Sequence, residues 1–265
     1  MKAVFIHDHN FVYDSKSNSY LDGSGGAFDS LLWSRYLDVF DELTVIGRLV
    51  KKLPNRLINS SCDRVNFNLI EGADNVRNLI KNFKQIKSNI KNIINGQNLA
   101  IIRLPSTLGF IAVDLCIENN IKYVIEIVGD PFEANWYHGN ILGKIAAPLY
   151  SIKMRKVVSK APYAIYVTKE HLQKKYPNKN KSISISNVRL LSLINKNEVI
   201  KFYSTLRKTF VIGMIGSFHV RYKGHHEAFR ALNKLKLNGF KDFEFQIVGS
   251  GDSKWLNDLI KKYNL

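Results

Sequence analysis

Short apolar runs alternate along the chain with segments of helical periodicity. Strands are predicted at Lys2–Ile6, Leu43–Ile46, Leu99–Leu104, Tyr123–Val128, Ala164–Val167 and Ser182–Ile185. Helices are predicted at Ala27–Phe40, at 76–95 and at Gly109–Glu118, and a long loop is expected to follow Ile6. Strands separated by helices indicate right-handed βαβ units and a mostly parallel sheet. Residues 1–190 are therefore predicted to form a Rossmann-like domain.

A polar stretch rich in Lys and Asn, residues 191–208, is the predicted linker to a second unit at 209–265. That unit is predicted to contain a strand at Phe210–Ile215, a helix at His225–Leu237, a strand at Phe243–Val248 and a helix at Ser253–Tyr263. The first of these strands is apolar throughout, so we expect it to be buried on both faces. A doubly wound domain has five or six strands. We therefore expect the second Rossmann-like domain to be incomplete and the chain to be truncated at its C-terminal end.

The composition is that of a globular α/β protein with a core, because 45% of the residues are hydrophobic and 11% are aromatic. This excludes disordered, collagen-like and coiled-coil chains. Two cysteines cannot build a disulfide framework, which favours a reducing compartment. The N-terminal apolar run, Ala3–Ile6, is too short for a signal peptide. A cytoplasmic location is therefore predicted, while the net charge of +17 favours nucleic acid, anionic lipid or phosphorylated ligands.

Small and basic residues follow both strands of the second unit, where open α/β folds bind ligands. Free backbone amides and two cations at a helix start suit a diphosphate. The candidate donor-binding residues are Gly216, Ser217, Arg221, Lys223, Gly249 and Gly251. In the first domain, Gly25 and Gly26 lie in a glycine-rich loop before a helix. Ligand contact and simple flexibility are both open for that loop.

These segments resemble the retaining glycosyltransferases of the GT-B fold, family 4, especially bacterial surface-polysaccharide enzymes. The resemblance is carried by IGMIGSFHVRYKGHHEAFRAL, FEFQIVGSGD, RLPS at 103–106, EIVGDP at 126–131 and YVTKEHLQKKYP at 166–177. It implies that Lys223 contacts the diphosphate of a UDP- or GDP-linked sugar and that Gly216 lies near the nucleotide. The family's arginine after that glycine is Ser217 here, and its E-x7-E motif would lie beyond Leu265.

On the acceptor side, Asp130 and His138 follow the strand Tyr123–Val128 and are the candidate catalytic residues. A histidine beside an acceptor hydroxyl can orient it or take its proton. The alternatives are a hydrogen-bonded loop histidine and an aspartate that caps a turn. His7 and Asp8 are further candidates at the end of the first strand, and Arg103 is assigned with Gly25 and Gly26 to an acceptor-side loop.

No cofactor and no metal are expected, because the chain has no Asp-x-Asp motif and its adjacent histidines lack further ligands at suitable spacing. Two basic clusters point to an anionic membrane surface at which a lipid-linked acceptor would be met. They consist of Lys81, Lys84, Lys87 and Lys91, and of Lys153, Arg155, Lys156 and Lys160. The second cluster is interleaved with apolar residues, including Ile152 and Met154. We therefore expect a peripheral position on the inner face of the cytoplasmic membrane.

The leading hypothesis is a glycosyltransferase that moves a sugar from a nucleotide-sugar to a polysaccharide or lipid-linked glycan, with the activity of this chain left open. The first alternative is a non-catalytic remnant that binds glycan or membrane. A nucleic-acid-binding protein is the further alternative and rests only on the charge. Nucleic acid is not the expected partner, because no RRM, KH or helix-turn-helix signature is present.

Overall fold

A computed structural model describes residues 1–23, 27–51, 57–137, 141–188, 192–193, 195–197, 209–218 and 223–265. The chain divides into two compact units by its internal contacts. The first unit contains residues 1–130 and 151–187, and the second contains residues 131–150 and 188–265. Most of the predicted linker, 191–208, lies outside the described residues. The domain limits at 190 and 209 stay a prediction.

The first unit is built on a mixed sheet whose strands in the described part of the chain number nine. They are β1 (Lys2–Asp14), β2 (Ser19–Asp22), β3 (Glu42–Leu49), β4 (Ile58–Asn59), β5 (Val65–Phe67), β6 (Leu99–Leu104), β7 (Tyr123–Ile127), β8 (Tyr163–Tyr166) and β9 (Lys181–Ser184). Seven of them are parallel, in the order β5-β3-β1-β6-β7-β8-β9. The other two extend from β1 as an antiparallel arm, in the order β1-β2-β4. The predicted Rossmann-like parallel sheet is confirmed.

Helices lie between these strands along the chain, and the two that begin at Pro131 and Ile141 belong wholly or partly to the second unit. They are α1 (Ser30–Leu37), α2 (Val76–Lys81), α3 (Phe83–Ile94), α4 (Thr107–Glu118), α5 (Pro131–Trp136), α6 (Ile141–Lys160) and α7 (His171–Lys175). Under α1 the core is aromatic, with Phe5, Phe11 and Trp33 at 1% exposure or less. The Trp33 indole packs edge-on against Phe5 and donates to the Ser60 carbonyl at 2.9 Å. These contacts hold α1 against the face of the sheet that carries Phe5 of β1.

Two elements differ from the predictions. The loop expected after Ile6 is wrong, because β1 continues to Asp14 and pairs with β2 as a hairpin. Aromatic and β-branched residues at Phe11–Tyr13 favour extended backbone there. The helix expected at 76–95 is two helices, and Asn82 between them leaves helical geometry with φ −99° and ψ 11°. Its side chain donates to the Gly72 carbonyl at 3.2 Å, which fixes the break.

The described residues of the second unit after 208 form a parallel pair of strands with two helices. The strands are β10 (Phe210–Ile215) and β11 (Phe243–Val248), and the helices are α8 (His225–Leu237) and α9 (Lys254–Tyr263). Three of these four elements have the predicted limits, and α9 begins one residue later than predicted. Phe229 of α8 packs edge-on against Phe245 of β11, with ring centroids 5.5 Å apart. The helices therefore cover the sheet face that carries Phe245.

The predicted burial of β10 on both faces is wrong. Phe210 is 63% exposed and Ile215 is 86% exposed, and the facing Val248 of β11 is 61% exposed. Among the described strands β10 pairs with β11 alone, and α8 covers the face of Phe245. An apolar strand is buried on both faces only where a second layer covers it.

Of the described helices, none is long and apolar enough to cross a membrane.

Candidate functional site

The first unit concentrates polar residues where β1 leaves the regular ladder. Ile6 pairs with Ile46 of β3, but the next pair is Asn10 with Arg48, so β1 has extra residues at His7, Asp8 and His9. The pairing of β1 with β6 also ends at Ile6. A bulge of this kind re-aims side chains and is common beside active sites. The segment lies at the carboxyl end of the parallel part of β1, where open α/β sheets bind ligands.

His9 is held by hydrogen bonding to a fully buried carboxylate. Its Nε2 lies 2.6 Å from Asp22 Oδ1, the Asp22 side chain is 0% exposed and the His9 side chain is 15% exposed. Phe28 stacks on the imidazole at a centroid distance of 3.9 Å. Within the described part of the chain, Nδ1 of His9 has no hydrogen-bond partner. A histidine held in this way can use its second nitrogen to bind a hydroxyl or accept its proton.

Asp8, one of the sequence candidates, is used for folding. Its carboxylate accepts hydrogen bonds from the backbone amides of Thr107 and Leu108 at 2.7 and 2.8 Å, which caps the first turn of α4. Arg48 Nη2 also donates to it at 2.8 Å. With these donors in place, Asp8 ties β1 to β3 and to α4. The structure therefore gives it a positioning role beside the bulge.

Arg103, predicted in an acceptor-side loop, instead lies in strand β6 and is 8% exposed. Its Nε donates to Glu126 Oε2 of β7 at 2.9 Å, and the Tyr36 hydroxyl donates to Glu126 Oε1 at the same distance. Burial and the Glu126 charge raise the pKa of Tyr36. The predicted loop position is wrong, because Arg103 lies in the ladder between β6 and β7. A buried guanidinium needs a counter-ion, and Glu126 of the neighbouring strand supplies it. A contact of Arg103 with an acceptor stays a prediction.

His7 is held neutral by this network. Burial, followed by the positive charge of Arg103, lowers the pKa of His7 to about 4. Its Nδ1 lies 3.2 Å from the Arg103 carbonyl, and the ring stacks on Phe28 at 5.6 Å. His7 thus belongs to the packing of the bulge, and His9, on the other side of Asp8, is the histidine whose ring is held by a buried carboxylate.

Asp130 lies after β7, as predicted, but its carboxylate is engaged. It is 5% exposed, forms an ion pair with Lys175 and accepts a hydrogen bond from the Tyr176 hydroxyl. Burial and the Asp130 carboxylate raise the pKa of that hydroxyl. This arrangement ties β7 to the segment after α7. His138, the other predicted catalytic residue, lies outside the described residues, as do Gly25 and Gly26. The catalytic roles of Asp130 and His138 stay predictions.

In the second unit, backbone hydrogen bonds connect the turns that follow β10 and β11. The Gly216 amide donates to the Val248 carbonyl at 2.9 Å, and the Phe218 amide donates to the Ser250 carbonyl at 2.8 Å. A Cβ atom at Gly249 would lie 2.0 Å from the Gly216 carbonyl oxygen, so only glycine fits. Gly251 has φ +121°, in the region that favours glycine. The structure thus brings together four predicted residues: Gly216, Ser217, Gly249 and Gly251.

Lys223 stands beside this pair of turns, at the start of α8. It is exposed, and a Cβ atom at Gly216 would lie 3.3 Å from the Lys223 Cβ. Gly224, with φ +82°, precedes the helix and has no side chain that could cap it. The first amides of α8 and the Lys223 ammonium therefore suit an anion at this place. Arg221, the second predicted cation, lies outside the described residues.

His225 packs against the turn that follows β10. It is fully buried and meets the rings of Phe218 and Trp255 edge-on at 5.7 and 5.5 Å. Burial lowers the pKa of His225, and its contact with the Gly216 backbone partly opposes that shift. The Trp255 indole donates to the Phe218 carbonyl at 2.9 Å. Sequence reasoning weighed His225 only as a metal ligand, whereas the structure uses it as packing under the glycine turns.

His9 and Asp22 are the functional candidates that sequence reasoning missed. His9 was inside the segment assigned to a loop, and Asp22 stood directly before the glycine-rich stretch. The available signal was a pair of histidines two residues apart at the end of a buried strand. Their partner could not be read from the sequence, because the hairpin that brings Asp22 to His9 was not predicted.

Comparison with known proteins gives one relative by sequence and several by fold. No protein-family model matches the chain. The chain is 37% identical to Protein CapJ of Staphylococcus aureus over 268 residues, an alignment that covers all of this chain and 65% of that protein. The chain therefore spans just under two thirds of the length of that relative.

Among solved structures, the sucrose-phosphate synthase from Thermosynechococcus elongatus is similar with a TM-score of 0.56 and 11% identity. The match covers 100% of this chain and 68% of the synthase. The UDP-GlcNAc 2-epimerase from Neisseria meningitidis, solved with UDP-GlcNAc, has a TM-score of 0.47 and 12% identity over 99% of this chain and 70% of its own. The synthase match shows the fold, and the predicted GT-B-like α/β class is confirmed.

Proposed function

We propose that this chain belongs to a glycosyltransferase that moves a sugar from a nucleotide-sugar to a polysaccharide or lipid-linked glycan. In this proposal the second unit binds the donor and the first unit binds the acceptor. Membership in family 4 and retention of configuration at the sugar are part of the proposal, carried over from the sequence resemblance. The donor is proposed to be UDP- or GDP-linked, with no metal required.

The observation that supports the proposal most is the pair of interlocked glycine turns beside Lys223. Gly249 leaves no room for a side chain beside the Gly216 carbonyl, so the backbones of the two turns are held together. They lie at the carboxyl ends of parallel strands, where open α/β sheets bind ligands. The exposed Lys223 and the uncapped start of α8 lie next to Gly216. A diphosphate matches this combination, because it carries the charge for the ammonium and the oxygens for the amides.

His9 is proposed as the acceptor-side group that binds a sugar hydroxyl. Asp22 fixes one ring nitrogen and Phe28 holds the ring plane, so the other nitrogen has a defined direction. His138 and Asp130 remain the predicted acceptor-side residues from the resemblance. The structure adds His9 to them because of its partial exposure and its buried partner.

An anionic membrane surface is proposed as the place where the acceptor is met. The net charge of +17 supports it, and so does the exposure of Lys81, Lys84 and Lys91 on or beside α3. Polybasic segments near an anionic leaflet contribute about 1 kcal/mol per cation. A peripheral position at the inner face of the cytoplasmic membrane follows as part of this proposal.

Calorimetric titration with UDP, GDP and their sugar conjugates tests donor binding. Lys223→Ala removes a charge-assisted contact worth about 1.5–3 kcal/mol, so nucleotide affinity should fall about tenfold to a hundredfold. Lys241→Ala is the matched control, because Lys241 is an exposed lysine of the same unit, in the loop before β11. It should leave the affinity unchanged.

Equal nucleotide binding by the native chain and by Lys223→Ala would contradict the donor site. Tight, salt-sensitive and sequence-selective binding of nucleic acid in a filter assay would instead favour the nucleic-acid alternative. Transfer of radiolabelled sugar to a lipid extract, measured with the same variants, separates catalysis from binding without turnover.

A further inference from the structure

The first three turns of α6 present an apolar face to solvent. Ile141, Leu142, Ile145, Leu149 and Ile152 are 61–77% exposed. At 3.6 residues per turn these five side chains fall within about 100° of arc. The buried residues of the same helix, Ala147, Met154 and Val158, lie on the opposite side. The exposed set is therefore a continuous stripe on one helix, here called the α6 stripe.

Large apolar side chains grouped on one face are unusual for a surface that meets only water. A single exposed leucine needs no explanation, but five exposed isoleucine and leucine side chains on one face of one helix indicate a contact. The stripe includes neither of the two basic clusters named from the sequence, although the second cluster follows it on α6. It was not apparent before the structure, because the same pattern would equally fit a helix packed in the core.

The charge of the helix indicates what the stripe meets. α6 contains five cations, Lys144, Lys153, Arg155, Lys156 and Lys160, and no acidic residue. On the same projection, Lys156 and Lys160 continue the stripe toward the C-terminal end. Trp136 and Tyr137 precede the helix and are 40% and 54% exposed, and the Lys144 ammonium lies 5.9 Å from the Trp136 ring centroid.

Apolar residues flanked by cations and by Trp and Tyr are typical of helices that lie in the plane of an anionic bilayer surface. Aromatic rings of these two types favour the level of the lipid headgroups. A complementary protein surface would need acidic partners for the cations, whereas an anionic lipid surface supplies both the charge and the apolar layer. Charge complementarity therefore selects lipid as the occupant.

We infer that the α6 stripe docks on an anionic lipid bilayer, with Ile141, Leu142, Ile145 and Leu149 in the boundary between headgroups and acyl chains. Lys156 and Lys160 contact lipid phosphates farther along the helix. This inference deepens the proposed membrane-bound acceptor role and rests on the proposed function only for the reason to be at a membrane. The docking itself needs no nucleotide.

The experiment is co-sedimentation with vesicles of phosphatidylcholine alone and of phosphatidylcholine with phosphatidylglycerol. The test variant is Leu142→Asp with Ile145→Asp. The control variant is Val39→Asp with Ile80→Asp, which adds the same charge at apolar residues 66% and 68% exposed outside α6. Circular dichroism and thermal unfolding should be unchanged for both, because all four side chains are exposed.

The native chain should bind the anionic vesicles and bind less as salt is raised. The test variant should lose at least about tenfold in partition coefficient, and the control variant should lose at most about twofold. Equal losses by the two variants, or none by either, would overturn the docking role of the stripe. So would equal binding of the native chain to neutral and anionic vesicles.

Sedimentation velocity of the same samples without lipid tests whether a second copy of the chain covers the α6 stripe instead. A dimer that the test variant dissociates, with no vesicle binding by the native chain, would assign the stripe to a second copy and overturn the inference. A native chain that stays monomeric and does not sediment with vesicles would overturn it as well. UDP titration of the test variant is independent of these results, so failure of the donor site and failure of docking remain distinguishable.

Discussion

The two units use the same kind of strand in opposite ways. In the first unit the apolar start of β1, Ala3–Ile6, is at 1% exposure or less between β3 and β6. In the second unit the equally apolar β10 is exposed at Phe210 and Ile215. The first sheet is therefore stabilised by burial on both faces, whereas the second depends more on its helices and on the contact between its glycine turns.

The same contrast holds for the polar residues. The first unit buries a network of Arg103, Glu126 and Tyr36 between its strands. The candidate ligand residues of the second unit lie on turns, and Lys223 is exposed. Substitutions in that buried network should therefore act mainly on folding. Substitutions in the turns of the second unit should act on binding, with a smaller effect on folding.

The largest effect is expected from Glu126→Gln. It leaves the buried Arg103 guanidinium without its counter-ion, which should lower the free energy of unfolding by about 3–5 kcal/mol. Urea unfolding followed by circular dichroism measures the change. Glu118→Gln is the control, because Glu118 pairs with Lys87 at 2.9 Å on the surface and its loss should cost about 1 kcal/mol or less. Similar costs for the two variants would show that the network does not stabilise the sheet.

His7 should make the stability of the first unit depend on pH. Its pKa is about 4 in the folded chain and about 6.5 when unfolded, so only the unfolded chain takes up this proton between those values. The free energy of unfolding should fall by about 3 kcal/mol as the pH is lowered from 6.5 to 4. Arg103, Asp8 and His9 are the charged or titratable groups that act on His7.

Urea titrations at several pH values measure this dependence. His7→Asn should flatten the slope in that window, whereas His226→Asn, at an exposed residue of α8, should leave it unchanged. If the free energy of unfolding of His7→Asn falls with pH as steeply as that of the native chain, the pH dependence belongs to another group.

Gly249→Ala should disturb the second unit alone. The new Cβ atom would meet the Gly216 carbonyl oxygen at 2.0 Å, so the two turns must separate at a cost of about 1–3 kcal/mol. Gly213→Ala is the matched control, because a Cβ atom there has no neighbour within 4 Å. Hydrogen exchange should increase in β10 and β11 for Gly249→Ala and stay unchanged in β1. Equal exchange for the two variants would mean that the turns are not held together by this contact.

Much of the fold could be predicted from the sequence, because each buried parallel strand is an apolar run with helical sequence on either side. The limits of β6, β10, β11 and α8 agree with the predictions. The hairpin of β1 and β2 was missed, since its histidines and aspartates do not alternate as a strand does. The break at Asn82 was missed because the apolar spacing continues through it, while a tertiary contact with Gly72 sets the angle.

Some residues of the candidate sites could likewise be predicted from the sequence, and others could not. Of the six residues predicted on the second unit, the five that the structure describes come together, because strand ends and glycines define their places. Arg103 was assigned to an acceptor-side loop on the resemblance of the segment 103–106, whereas its partner Glu126 lies on the neighbouring strand. The pairing of His9 with Asp22 needs the hairpin, so it became visible only in three dimensions.

Binding of a nucleotide-sugar at the glycine turns beside Lys223 can be followed residue by residue through amide chemical shifts during a UDP titration. We expect the largest shifts at Gly216, Ser217, Lys223, Gly249 and Gly251, with none of comparable size in β1, β6 or β7. In Lys223→Ala the same amides should shift only at about tenfold to a hundredfold higher UDP. Shifts centred on the first unit, or a Lys223→Ala titration identical to that of the native chain, would contradict binding at these turns.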